Sequence, residues 1–263
     1  MEAKLRVEVE EKVENKVPEV KSKKAYKLKE TILAYLFLSP ALIGICTFIL
    51  IPIALSISYA FTDYYLLKPN DIHFIGLENF KNMAVDDMVI SSFKNTLHFV
   101  ILVIPIQVGL ALGLALLINK KFKFNTFFRV AFFSPVVMSL VVVSILWMTL
   151  LNPSSGLVNT MLQKFGLPGQ PFLTSTGQAM NTIVLMSAWQ GAGYQMMIFL
   201  AGLTNIPADM YEAASIDGAT KLEQFRYITL PSLKPTMAFV LITTMIGAFK
   251  LIVQPMVMTS GGP

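Results

Sequence analysis

The chain has 263 residues, of which 54% are Ala, Val, Ile, Leu, Met, Phe, Trp, Tyr or Cys and only 14% are Asp, Glu, Lys or Arg. Residues 1–30 carry 9 of the 21 Lys and Arg and 7 of the 16 Asp and Glu, so the rest of the chain holds too few charges to build a water-soluble surface. The net charge of +5 comes from short basic segments flanking apolar ones, which excludes nucleic acid as a partner along with a soluble globule.

Met1–Glu30 is polar and of mixed charge, and ends in the cluster Lys21, Lys23, Lys24, Lys27 and Lys29. It reads as a solvated tail or short surface helix, separate from a membrane domain over 31–263. The tail is too long and too polar for the n-region of a signal peptide. A bilayer core of ~30 Å takes ~20 helical residues. Residues 31–61 are charge-free and long enough to cross, with Pro40 and Pro52 as tolerated kinks. Four more spans are expected at 95–118, 130–151, 178–203 and 235–258, giving an all-α bundle of transmembrane helices in contact with lipid. Asn152-Pro-Ser-Ser-Gly156 ends the third span, and Gly166, Pro168, Gly169, Pro171 and Gly177 make a loop before the fourth.

Orientation follows from Lys and Arg in the short flanks. The tail, the connector with Lys120, Lys121, Lys123 and Arg129, and the connection at 204–234 together hold 16 of the 21 basic residues. Placing these on the cytoplasmic side puts the N-terminus inside the cell membrane.

The connection at 204–234 reads as two short helices. Pro207 suits a first helical position, and Asp209 and Glu212 favour the positive end of the helix. Gly218 supplies the break. Thr220 and Glu223 have capping-box spacing for the second helix, whose Leu222, Phe225 and Arg226 share a face. Pro231 and Pro235 lead into the next span. The whole is a stiff projection carrying an apolar knob.

Glu212-Ala213-Ala214, then Asp217-Gly218, Phe225, Ile228, Leu230 and Pro231, resembles the "EAA" loop of permease subunits of binding-protein-dependent ABC importers. Phe74-Ile-Gly-Leu-Glu-Asn-Phe80, Asn95-Thr-Leu97, Trp189-Gln-Gly-Ala-Gly-Tyr194, Leu200-Ala-Gly-Leu203, Ile206-Pro207 and Thr259-Ser-Gly-Gly-Pro263 are similar to the carbohydrate subgroup, the maltose- and glycerol-phosphate-type permeases. The resemblance covers about residues 30–263. It implies the fold of a type I ABC importer permease in the inner membrane and a loop that docks into a cytoplasmic ATP-binding subunit. It also implies a second permease subunit, an extracytoplasmic solute-binding protein and a carbohydrate substrate. The family has a sixth span after the Gly-Gly-Pro turn; this sequence stops before it, so a truncated product or fragment is expected.

No Gly-x4-Gly-Lys-Ser/Thr occurs, so ATP is expected to be used by a partner and no cofactor by this chain. One cysteine (Cys46) and two histidines offer no metal site and no catalytic pair. His73 is expected to be solvated in a loop, and His98 to make an interhelical hydrogen bond.

Polar side chains in spans tend to face the bundle interior. Gln107, Gln190, Gln195, Gln254 and Lys250 are the candidates for a substrate path. Lys250 either faces inward or snorkels. Trp189 and Tyr194 either stack on a sugar ring, with Gln190 and Gln195 bonding its hydroxyls, or pack helices. Gly191 and Gly193 are expected to allow close helix contact. An ion-gradient-driven transporter of a small polar solute is the competing reading. It would need carboxylates within the spans, where none falls.

Overall fold

A computed structural model describes residues 23–68, 71–120 and 124–262. The chain divides into two compact units, residues 1–85 and 86–263.

In the first unit, α1 (Lys23–Ile45) runs through a π-helical turn (Cys46–Leu50) into α2 (Ile51–Tyr59). Most of the expected tail lies outside the described residues, but its end is already helix. Glu30–Tyr59 is apolar on every side and buries none of its apolar window within the chain. Such a helix is stable only in lipid or against another membrane helix. After α2 the chain closes a small loop through an isolated bridge between Thr62 and Phe74, and α3 (Glu78–Val85) follows. His73 is exposed yet tied to Asp63. Its backbone N–H donates to Asp63 Oδ1 at 2.6 Å and its ring lies 3.2 Å from Oδ2. The His73 backbone N–H is the main cause holding the Asp63 carboxyl below its usual range.

The second unit is built on two long helices, α4 (Asp87–Asn119) and α8 (Ala179–Thr204). Asp86 caps α4, its carboxylate accepting from the N–H groups of Met88 and Val89. Small residues let the two helices approach: Ala111, Ala115 and Ala192 are fully buried beside Met196 and Phe199. Further along, Phe99 and Val103 meet Ile183, Val184 and Met186. His98 Nε2 and Asn181 Oδ1, 2.8 Å apart, join the same helices, the interhelical bond expected from the sequence.

Between these helices lie α5 (Asn125–Val137), α6 (Leu140–Leu150) and α7 (Leu157–Lys164). The run at 130–151 is therefore not one straight span. It turns by 100° between α5 and α6, at Met138 and Ser139, whose backbone is extended. After α6, Asn152 Oδ1 accepts from the N–H groups of Ser154 and Ser155, fixing the turn. Buried Asn159 pins the following loop by three hydrogen bonds to Pro153 and Gln170.

Beyond α8 come α9 (Ala208–Ile216), α10 (Lys221–Gln224), a second π turn (Phe225–Thr229), α11 (Leu230–Ser232), α12 (Lys234–Ala248) and α13 (Val253–Thr259). The chain bends by 66° into α12. The expected span at 235–258 is likewise interrupted: α12 ends at Ala248, and α13 is separate. Among the described residues three helices are long and apolar enough to cross a membrane, or up to five if each bent pair is one span.

Both π turns stop two residues before a proline, Pro52 and Pro231. A proline ring collides with the carbonyl four residues back and offers no N–H. Those carbonyls belong to Phe48 and Tyr227, each inside the π turn, where the wider winding moves them aside.

Candidate functional site

Two features of the second unit carry chemistry: a projection between α8 and α12, and a cavity among α4, α8 and α12.

In the projection, Pro207 occupies the N-cap of α9, one position earlier than its sequence suggested, and Asp209 sits in the first turn. The helix ends in a Schellman motif. Gly218 N–H donates to Ser215 O at 3.2 Å and Ala219 N–H to Ala214 O at 2.9 Å. This requires Gly218 at φ +80°, a conformation glycine adopts without a Cβ penalty. The spacing from Ala214 to Gly218 is thus the spacing of a helix stop. Two residues later Thr220 starts α10 with a complete capping box. Its backbone N–H and its hydroxyl reach Glu223 Oε2 at 2.7 Å, and the Glu223 N–H returns to Thr220 Oγ1 at 3.3 Å. The Thr220 backbone N–H is the main cause holding the Glu223 carboxyl below its usual range, with the hydroxyl second.

Gln224, which the sequence did not single out, closes the projection. It is 4% exposed. Its Nε2 donates to Ser215 Oγ at 2.8 Å. Ser215 in turn donates to Tyr211 O at 2.7 Å. Tyr211 and Thr229 share a hydroxyl–hydroxyl bond of 2.9 Å, and Thr229 Oγ1 reaches back to Gln224 O at 3.4 Å. The two short helices are therefore clipped by a ring of hydrogen bonds. The expected shared face is revised accordingly. Phe225 and Ile228 are half-buried, but Leu222 is 75% exposed, and Ile216 beside the hinge is 86% exposed. Glu212, Ala213, Asp217, Leu230 and Pro231 are also exposed, and Ala214 is half-buried.

The cavity has a volume of about 400 Å³. Gln107 of α4, Gln190, Tyr194 and Gln195 of α8, and Lys250 and Gln254 beyond α12 all line it. On α8, Ser187, Gln190, Gly191, Tyr194 and Gln195 recur at helical spacing, so one polar stripe faces the space. Gln254 Nε2 donates to Ser187 Oγ at 3.5 Å. Trp189 is not on the lining. Its ring meets Trp147 edge-on at 5.6 Å, so of the two expected stacking aromatics only Tyr194 faces the cavity.

Gln195 is oriented by its neighbours. The Thr244 hydroxyl donates to Val240 O at 2.6 Å, so it can only accept from Gln195. The amide nitrogen therefore faces Thr244, and Gln195 Oε1 is left buried without a protein partner. Lys250 is not in the middle of a continuous helix. It stands in the break between α12 and α13, exposed and at the edge of the cavity. Irregular backbone at membrane depth is tolerated where it lines such a space.

The second unit thus pairs a cavity that carries amides among apolar side chains with a hydrogen-bonded projection. Residues 89–263 match the family described as binding-protein-dependent transport system inner membrane component, and the chain belongs to it. It is 38% identical over 232 residues to a probable ABC transporter permease protein of Pyrococcus horikoshii, covering 87% of this chain and 78% of that one. It is 34% identical over 234 residues to the lactose transport system permease protein LacF of Rhizobium radiobacter, covering 87% and 77%. It also superimposes, with a TM-score of 0.75 and 28% identity over 89% of this chain and 78% of the other, on a chain of the crystal structure of a bacterial alginate ABC transporter in complex with an alginate pentasaccharide-bound periplasmic protein.

Proposed function

We propose that this chain is a permease subunit of an ATP-driven sugar uptake system, and that it provides half of a translocation path through the inner membrane. Its relatives' substrates support a carbohydrate, and so does a cavity that combines Tyr194 with the four amides of Gln107, Gln190, Gln195 and Gln254. A sugar has apolar C–H faces for an aromatic ring and hydroxyl edges for amides.

The observation that carries the coupling role is the clipped projection at 204–234. Its exposed Ile216 and Leu222 give a cytoplasmic ATP-binding subunit something to grip, and the ring of hydrogen bonds through Gln224 lets the grip move α8 and α12. ATP binds that partner and not this chain. A second permease subunit completes the path, and an extracytoplasmic solute-binding protein loads it. The N-terminus and the projection face the cytoplasm, on the side richer in Lys and Arg.

The test is the assembled importer in proteoliposomes carrying Gly218→Asp or Glu212→Lys. Both variants insert and assemble, but ATP hydrolysis no longer drives sugar accumulation. Uptake at the wild-type rate in both would refute the coupling role.

A further inference from the structure

Lys250 gives the cavity a charge preference. It is the only charged side chain among the lining residues, and every other polar group there is a neutral amide or hydroxyl. No Asp or Glu lines the cavity. Among the described residues Lys250 has no ion-pair partner and its side chain makes no hydrogen bond.

A cation near a helix end has a second use, the capping of orphan carbonyls. Here backbone groups already serve that end. Phe249, Lys250 and Leu251 donate their N–H groups to Met245, Gly247 and Ala248 at 3.1, 3.1 and 3.3 Å. The ammonium is left over. Phe99, Val103, Val136 and Leu140 supply apolar lining, so Lys250 is the one formal charge an entering solute meets there.

We infer that the solute is an acidic saccharide, a sugar or short oligosaccharide bearing a carboxylate, sulfonate or phosphate that Lys250 meets while Tyr194 and the glutamines hold the neutral ring. This rests on the sugar reading above and narrows it. A neutral sugar would leave the exposed ammonium to water. An anionic group pairs with it at the edge of the cavity, close enough to water to leave again.

The experiment uses the whole importer, with its own ATP-binding subunits, partner permease and binding protein, in proteoliposomes. Matched pairs are offered: a hexuronide, a sugar sulfonate and a sugar phosphate, each beside the neutral saccharide of the same skeleton. At least one acidic member accumulates tenfold or more above its neutral counterpart. In Lys250→Gln the ratio of acidic to neutral uptake falls about tenfold, and Lys250→Arg keeps it. A purely structural lysine would lower both members of a pair together and leave the ratio alone, which overturns the inference. Preferred uptake of the neutral members overturns it too while leaving the sugar reading intact. Failure of every saccharide, acidic and neutral, overturns both.

Discussion

Tyr211 and Thr229, 18 residues apart in sequence, share a hydroxyl–hydroxyl bond of 2.9 Å that ties α9 to the π turn after α10. The tie matters because α10 has only four residues. A helix that short has no stability of its own. It exists because Gly218 stops α9, the capping box starts the next turn, and Gln224 and Thr229 fasten the result to Ser215 and Tyr211.

Breaking that ring should soften the lever without removing it. Gln224→Leu removes the hydrogen bonds to Ser215 Oγ and Ala219 O, each worth ~0.5–1.5 kcal/mol. Tyr211→Phe removes one bond, worth ~1 kcal/mol. Hydrogen exchange over 211–229 should speed up in both, more in Gln224→Leu, and sugar uptake per ATP hydrolysed should fall in the same order. Unchanged exchange would mean that the ring does not hold the projection.

The hinge itself is the next point. Gly218 has φ +80° with nothing near the position a Cβ would take, so Gly218→Ala meets no clash and suffers only backbone strain of ~1–2 kcal/mol. Asn tolerates the left-handed region better than Ala. Coupled uptake should therefore rank glycine above asparagine above alanine. Equal activity of the asparagine and alanine variants would show that φ is not what matters there.

Glu223 gives the projection a pH dependence of definite sign. Its native pKa lies below the ordinary value of 4.5, because Thr220 donates to the ionised form. A depressed pKa stabilises the folded loop above the ordinary carboxylate range, and that contribution is lost as pH falls through the native value. Protection of the Thr220–Gln224 amides, corrected for intrinsic exchange, should stay level from neutral pH down toward the ordinary value of 4.5 and fall below it. Glu223→Gln should start lower and show no such drop. A drop centred near neutral pH would point to a different group.

The long apolar helices were legible in the sequence because long charge-free runs have few other uses. Their breaks were not. Hydropathy reports how deep a segment lies but not its direction, so nothing in the uniformly apolar 130–151 announced the 100° turn at Met138 and Ser139. The polar cavity residues were legible for a related reason. Amides are costly in lipid, so Gln107, Gln190, Gln195 and Gln254 had to face inward. Trp189 has no such constraint, and neighbouring Trp147 decided its place. The projection's glycine and capping box are local signals and could be read directly. Gln224 could not, because a glutamine beside Glu223 looks like any surface residue until its side chain meets Ser215.

Gly191 and Gly193 lie two residues apart on α8, and the structure makes opposite demands of them. A Cβ on Gly193 would collide with the Phe132 carbonyl and the backbone of Phe133, which α5 cannot move without shifting as a whole. A Cβ on Gly191 would meet only the end of the Gln107 side chain, which can swing away. Overpacking against a fixed neighbour typically costs ~1–3 kcal/mol. Gly193→Ala should therefore lower the yield of folded protein and its thermal midpoint in detergent. Gly191→Ala should leave both near wild type and instead change transport, because it displaces a glutamine of the cavity. If the two variants lose stability equally, the close approach of α8 to α5 is not centred on Gly193.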